Sequence, residues 1–231
     1  MKNSLSVIVP FFNEEKTIED SLRRLLKVKV IKRIICVNDC STDKSLDIVS
    51  QLKQQDSRIE IISNEINRGK GFAITSAKNH INTSHVAIHD ADLEYFPQDL
   101  ATMWEKSENF EDSLILGSRF IGTKSRKNLY KRTYFANKFM SEFFSIVNFY
   151  KVSDVATCYK LFPNEFFKKI NLYENGFSIE IELLSKFLKF NKSIVEVPIR
   201  YEARSYSEGK KIKSKDGILY LINTIKYRIF S

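Results

Sequence analysis

Residues 31–52 read IKRIICVNDCSTDKSLDIVSQL. The stretch 31–39 is an apolar, β-branched run and predicts a strand. A polar turn follows, in which Thr42 or Asp43 can cap a helix over 43–52. The same alternation runs outward on both sides. SVIVPFF (6–12) is a strand, and 14–28 a helix with Ile18, Leu22, Leu25 and Leu26 on one face. IEIIS (59–63) is a strand, GKGFAITSAKNHI (69–81) a helix, and VAIHD (86–90) and LILGS (114–118) are strands. Strands alternating with helices of about 10–15 residues imply an α/β fold with a mostly parallel sheet flanked by helices. Ligands of such sheets bind beyond the carboxyl ends of the strands. The chemistry is therefore expected at 10–15, 38–43, 67–71 and 90–94.

The second half changes character. Lys124, Arg126, Lys127, Lys131 and Arg132 precede a helix over 134–150. Its Phe135, Phe139, Phe143, Ile146, Val147 and Tyr150 share one face. That arc is broad for a single core contact, so an anionic membrane surface or a homodimer partner is expected there. An amphipathic helix over 177–190, a strand over 194–201 and a basic loop over 204–215 follow. The last helix, 216–230, carries Ile218, Leu221, Ile222, Ile225 and Ile229 as a narrower stripe, with Tyr220 and Tyr227 opposite. A stripe of that width is expected to face the core.

The chain has 231 residues, 43% of them hydrophobic, which suits a single domain spanning 1–231. Lys and Arg exceed Asp and Glu by 37 to 28, a net charge of +9 that favours acidic partners. No nucleic-acid motif accompanies the charge. No run approaches the roughly 18 apolar residues of a spanning helix. The N-terminal run stops at Pro10 without a cleavage site and reads as a strand rather than a leader. Cys36, Cys40 and Cys158 are odd in number and fit no metal spacing, so reduced thiols and a cytoplasmic location are expected. Cys36 alternates with core residues. His80, His85 and His89 lack ligand spacing and read as surface or strand-end residues.

Three loops carry chemistry. In His89-Asp90-Ala91-Asp92-Leu93-Glu94, an extended backbone puts Asp90, Asp92 and Glu94 on one side, as hard oxygen ligands for Mg²⁺ or Mn²⁺. In Val37-Asn38-Asp39-Cys40-Ser41-Thr42-Asp43, a carboxylate at the strand end can accept a nucleobase N–H or a ribose hydroxyl, while Asp43 is better explained as a helix cap. In Asn67-Arg68-Gly69-Lys70-Gly71, two glycines permit close backbone approach, and the following helix N-terminus attracts anions.

VIVPFFNEE, VNDCSTD, NRGKGFAI, DADLE, GSRF, SDVATCYKLF, FSIEIELLSK and EVPIRYEARSYSEGKKIKSKDG occur in the order found in family-two glycosyltransferases of the GT-A (Rossmann-like) fold. The chain resembles that family from residue 7 to about 217, and within it the dolichyl- or polyprenyl-phosphate sugar transferases and related bacterial cell-surface enzymes. The resemblance implies inverting, metal-dependent transfer from a nucleotide-diphosphate sugar to a lipid-phosphate or glycan acceptor. It divides the domain into a nucleotide-sugar and metal half (1–122) and an acceptor half (123–231). Pro10, Asn13, Glu15, Asp39, Lys70 and Asp90 would hold the donor nucleotide, and Asp90, Asp92 and Glu94 the metal. Arg119, Arg204 and Lys210 would face phosphates. Asp154 and Glu180 would lie near acceptor and sugar, with Asp154 and Arg119 as the catalytic pair. Location would be the inner face of the cytoplasmic membrane, held peripherally. The chain departs from the usual Asp-Asp-Gly at Asn38-Asp39-Cys40. A sugar nucleotidyltransferase is a rival reading, opposed by the acidic, glycine-free Pro-Phe-Phe-Asn-Glu-Glu loop. A catalytically idle adaptor is another, opposed by Asp90-Ala91-Asp92.

Overall fold

The computed structural model describes residues 3–123, 126–127, 130–190, 193–204 and 214–230. Among the described residues the strands are β1 (Leu5–Phe11), β2 (Ile31–Asn38), β3 (Ile59–Ser63), β4 (His85–Ile88), β5 (Leu114–Ser118), β6 (Arg126–Lys127), β7 (Lys160–Pro163), β8 (Ile194–Pro198) and β9 (Tyr201–Glu202). Seven form one sheet in the order β3-β2-β1-β4-β7-β5-β8. All run parallel except β7, which is antiparallel to both β4 and β5. β6 and β9 pair separately, and Tyr95 bridges to Tyr201. This is the GT-A arrangement that the sequence implied.

Alternation along the strands builds a core on each face of the sheet. Val7, Val9, Ile34, Cys36 and Ala87 face α1 (Ile18–Leu26), α2 (Ser45–Gln55) and α4 (Gln98–Glu108). Ile8, Ile35, Val37, Val86 and Ile88 face α3 (Lys70–Ser76), α6 (Asn164–Lys169) and α7 (Ile179–Lys189). Two outer helices, α5 (Lys131–Asn148) and α8 (Ser214–Phe230), pack against one another, and α8 also packs on α7. Cys36 is a core residue whose thiol burial drives well above its ordinary pKa. All three cysteines are free.

α8 reverses the expected orientation. Tyr220, Asn223, Thr224 and Tyr227 are its buried face, while Ile218, Ile222, Ile225 and Ile229 point outward. The tyrosines win the interior because their hydroxyls find acceptors there: Tyr220 donates to the Phe177 carbonyl (2.9 Å) and Tyr227 to Glu174 (2.7 Å). His85 and His89 stand at the two ends of β4 as strand-end residues, and both are buried. His89 is held by Ser21 (3.0 Å) and the Tyr159 hydroxyl (2.9 Å). Among the described residues, no helix is long and apolar enough to cross a membrane.

Candidate active site

The four loops expected to carry chemistry meet in one cleft of about 250 Å³ at the carboxyl edge of β1, β2 and β4. Pro10, Glu14, Asp39, Lys70, Asp90, Asp92 and Glu94 line it from the first half of the chain, with Arg119 at the end of β5. Phe177, Glu180, Tyr201, Arg204 and Tyr220 line it from the second half. Helices α7 and α8 therefore complete a pocket that the parallel strands open.

The carboxylate loop is not extended. β4 ends at Ile88, and Leu93 takes a left-handed φ of 65°. The period of two that would align Asp90, Asp92 and Glu94 is thereby broken. Asp90 meets the Lys70 ammonium at 2.7 Å. Burial opposes ionisation of Asp90, but Lys70 overrides it and keeps its pKa low. Asp92 lies 3.2 Å from an Arg204 nitrogen. Burial first, then the charges of Glu94 and Asp90, push the Asp92 pKa up to about 8. Glu94 has both oxygens taken, one by the Tyr201 hydroxyl (2.6 Å) and one by the Arg204 backbone N–H (2.8 Å). Among the described residues, no three His, Cys, Asp or Glu side chains gather closely enough to hold a metal by themselves.

The basic groups are held in specific partnerships. Lys70 bridges Asp90 and Glu180 (2.9 Å), and Glu180 continues to the buried Lys160 (2.5 Å). Arg204 reaches Glu14 (3.3 Å) as well as Asp92. Arg119 is 6% exposed, rests over the Tyr201 ring and is paired with Asp154. Asp154 is fully buried and does not line the cleft, so it acts on Arg119 rather than standing open to an acceptor hydroxyl.

The loop after β2 is tied to its neighbours. Asp39 accepts N–H bonds from Gly69 (2.6 Å) and Arg68 (3.2 Å) and the Asn64 amide (3.0 Å). Asn38 accepts from the Ser41 N–H (2.9 Å), closing the turn. Cys40 holds a φ of 63°, the backbone that the usual glycine would supply, and its thiol donates to the Glu65 carbonyl at 3.3 Å. Asp43 accepts from the Ser45 N–H (2.9 Å) at the start of α2.

The close approach at Gly69 and Gly71 is made by this chain's own backbone. The Gly71 N–H donates to the Asn175 carbonyl at 2.7 Å, and a Cβ on Gly71 would meet the Glu174 carbonyl at 1.9 Å. The N-terminus of α3 is thus filled by protein, and Lys70 is the part of the motif that reaches the cleft.

Asn13 and Glu15 stand beside the cleft rather than in its lining. Asn13, at φ 51°, accepts from the Thr42 N–H (2.8 Å), and Glu15 accepts from the Lys44 N–H (3.2 Å). That left-handed turn directs Glu14 inward, whereas the family resemblance pointed to its neighbour Glu15. Tyr95, Phe177 and Tyr201 were also missed, because no motif singles them out, and Tyr220 was missed because it lies opposite the stripe expected to face the core. Lys210, Lys211 and Lys213 lie outside the described residues.

Residues 6–171 match the family described as Glycosyl transferase family 2. The dolichyl-phosphate beta-glucosyltransferase ALG5A of Trichomonas vaginalis is 25% identical over 98% of this chain and 73% of its own. The undecaprenyl-phosphate 4-deoxy-4-formamido-L-arabinose transferase of Edwardsiella ictaluri is 24% identical over 95% of this chain and 65% of its own. The solved structure of glucosyl-3-phosphoglycerate synthase from Mycobacterium tuberculosis, in complex with Mn²⁺, UDP-glucose and phosphoglyceric acid, superposes with a TM-score of 0.75. It is 17% identical, covering 98% of this chain and 80% of that one, and shares the fold.

Proposed function

The chain belongs to glycosyl transferase family 2 and is a glycosyltransferase; from that premise we propose that it moves a sugar, with inversion, from a nucleoside-diphosphate sugar to a polyprenyl phosphate or a related cell-surface glycan precursor. The observation that carries the reading is the convergence of Arg119, Lys70 and Arg204 with Asp90 and Asp92 in one cleft at the sheet's carboxyl edge. Such a cleft answers the needs of a departing diphosphate. The rival nucleotidyltransferase and adaptor readings give way to the family.

The donor set suits a hard divalent ion, since Asp90 and Asp92 offer oxygen only. Mg²⁺ and Mn²⁺ in nucleotide sites are commonly held by one or two carboxylates plus substrate phosphates. A three-carboxylate cage is therefore not required, and Glu94, committed to Tyr201 and Arg204, is better read as a brace. The ion, held by Asp90 and Asp92, would neutralise charge on the donor diphosphate.

The chain's own residues do the rest. The Arg119 fork, kept rigid by Asp154, hydrogen-bonds a phosphoryl group whose charge grows as the glycosidic C–O bond breaks. Arg204, drawn towards Asp92 and Glu14, is placed to exchange those partners for phosphate oxygens. The acceptor oxygen attacks the anomeric carbon from the face opposite the leaving diphosphate. A lipid phosphate is already ionised and needs no base. That fits the commitment of Asp154, the carboxylate expected in the catalytic pair, to Arg119. It also fits the lipid-phosphate names of two relatives.

The test is turnover of UDP- and GDP-sugars with polyprenyl phosphate and Mn²⁺, preceded by a thermal-shift panel of nucleoside diphosphates. A binding nucleotide raises the melting temperature by mass action. If no nucleoside diphosphate shifts the transition and no donor is turned over, the reading fails.

A further inference from the structure

Helix α8 is amphipathic in the wrong sense for a helix facing water. It buries Tyr220 at 5% exposure with Asn223 and Thr224, yet leaves Ile222 at 54% and Ile229 at 62%. Its neighbour α5 does the same with Phe135 at 67% and Phe139 at 61%. On α8 the exposed Ile218, Ile222, Ile225 and Ile229 recur every three or four residues, and on α5 Phe135, Phe139 and Ile146 fall at spacings of four and seven, so each presents one stripe. Nine of the fifteen large hydrophobic side chains exposed among the described residues lie on these two helices. Singly exposed apolar residues are ordinary, but a contiguous patch on packed neighbours marks an interface.

We propose that the outward face of α5 and α8 docks the protein onto the anionic surface of a lipid bilayer. Charge selects this occupant. The two helices carry six basic residues and two acidic ones. At the C-terminal end of α8, Lys169, Lys189 and Lys226 line a recess with Tyr173 and Phe230. Basic residues around an apolar, aromatic stripe match an interface of anionic headgroups over acyl chains. A second copy matches less well, because a twofold contact sets the same basic flank against itself. The face lies on the bilayer and does not cross it.

The helices that carry the stripe also border the cleft. Tyr220, on the buried face of α8, lines the cavity, and Phe120, next to Arg119, packs edge-on against Tyr134 of α5 at 5.3 Å. A bilayer under α5 and α8 would therefore lie beside the mouth of the site. This deepens the lipid-phosphate reading of the acceptor without depending on it.

The full chain is pelleted with vesicles of phosphatidylcholine alone or mixed with phosphatidylglycerol. Expected is binding that requires the anionic lipid and falls roughly ten-fold or more between low and high salt. The double variant Phe139→Ser, Ile222→Ser should bind at least about ten-fold less, since two apolar anchors are lost. Both sites are exposed, so its melting temperature should stay at the parent value. Lys131→Glu with Arg132→Glu should weaken binding to anionic vesicles with the same fold intact. A parent protein that stays in the supernatant at low salt overturns the proposal. So does a solution dimer that the Phe139→Ser, Ile222→Ser pair splits. Nucleoside-diphosphate thermal shifts on the same samples report the cleft separately, so failure of one reading is not failure of the other.

Discussion

The Nε and Nη2 atoms of Arg119 each stand 2.7 Å from an oxygen of Asp154, and the Arg119 backbone N–H donates to the same carboxylate at 2.9 Å. Three bonds from one buried acid fix both the loop after β5 and the plane of the guanidinium. Asp154 is thereby a positioning residue for the phosphate-facing group.

Arg119→Lys keeps the charge and loses the fork. Turnover of the nucleotide sugar should fall roughly ten-fold or more, because a point charge replaces a planar bidentate donor. Asp154→Asn leaves a buried cation without its counter-charge and should cost about 3–5 kcal/mol in urea unfolding. Parental turnover in Arg119→Lys would show that the residue is only a structural pair.

Asp92→Asn separates function from stability. Asp92 is pushed up to about 8 by burial and by Glu94 and Asp90, so its charge is a burden on the fold. The amide should leave the melting temperature unchanged or higher while lowering turnover roughly 100-fold. Full activity in this variant removes Asp92 from the metal assignment.

Cys40 tests the departure from the usual glycine. Its φ of 63° suits Gly and strains a β-branched residue. Cys40→Gly should change stability by no more than about 1 kcal/mol, as relief of strain opposes added chain entropy. Cys40→Val should lose about 1–3 kcal/mol. Equal stability of the two variants would contradict this backbone.

His89 sets a pH dependence. Burial lowers its pKa from 6.5 to about 4, so the native state resists protonation that the unfolded chain accepts. Stability from this neutral imidazole is intact above the unfolded value and is lost as pH falls from 6.5 towards 4. Between pH 7 and pH 5 the loss is about 2 kcal/mol. Urea unfolding of the parent and of His89→Gln at both pH values should show a loss smaller by about that amount in the variant. Identical slopes would refute it.

The alternation of strands and helices in the first half was legible because apolar runs and polar turns alternate at a clear period. α4, β7 and α6 were not: α4 spreads Leu100, Met103 and Trp104 among polar residues, and β7 and α6 are four and six residues long. The loops that build the cleft were also legible, since each follows a strand. Their internal geometry was not, because single left-handed residues, Asn13 and Leu93, redirect the side chains after them. Glycine spacing at 69–71 announced a close approach but not that residues 174–175 make it. The stripe on α8 was visible, whereas its direction depended on hydrogen-bond acceptors for Tyr220 and Tyr227 that only the folded chain supplies.

The antiparallel strand β7 has a consequence for synthesis on the ribosome. It is the sole neighbour of β4 on one side and of β5 on one side, and β5 meets β8 on the other. A nascent chain that has reached residue 122 therefore presents open strand edges on both, with nothing yet made to cover them. Such edges invite pairing with other chains. The sheet closes only after residues 160–163 emerge, so the two halves mature together. A gene encoding the first 122 residues alone should give an aggregating product, and coexpression of residues 123–231 should rescue its solubility.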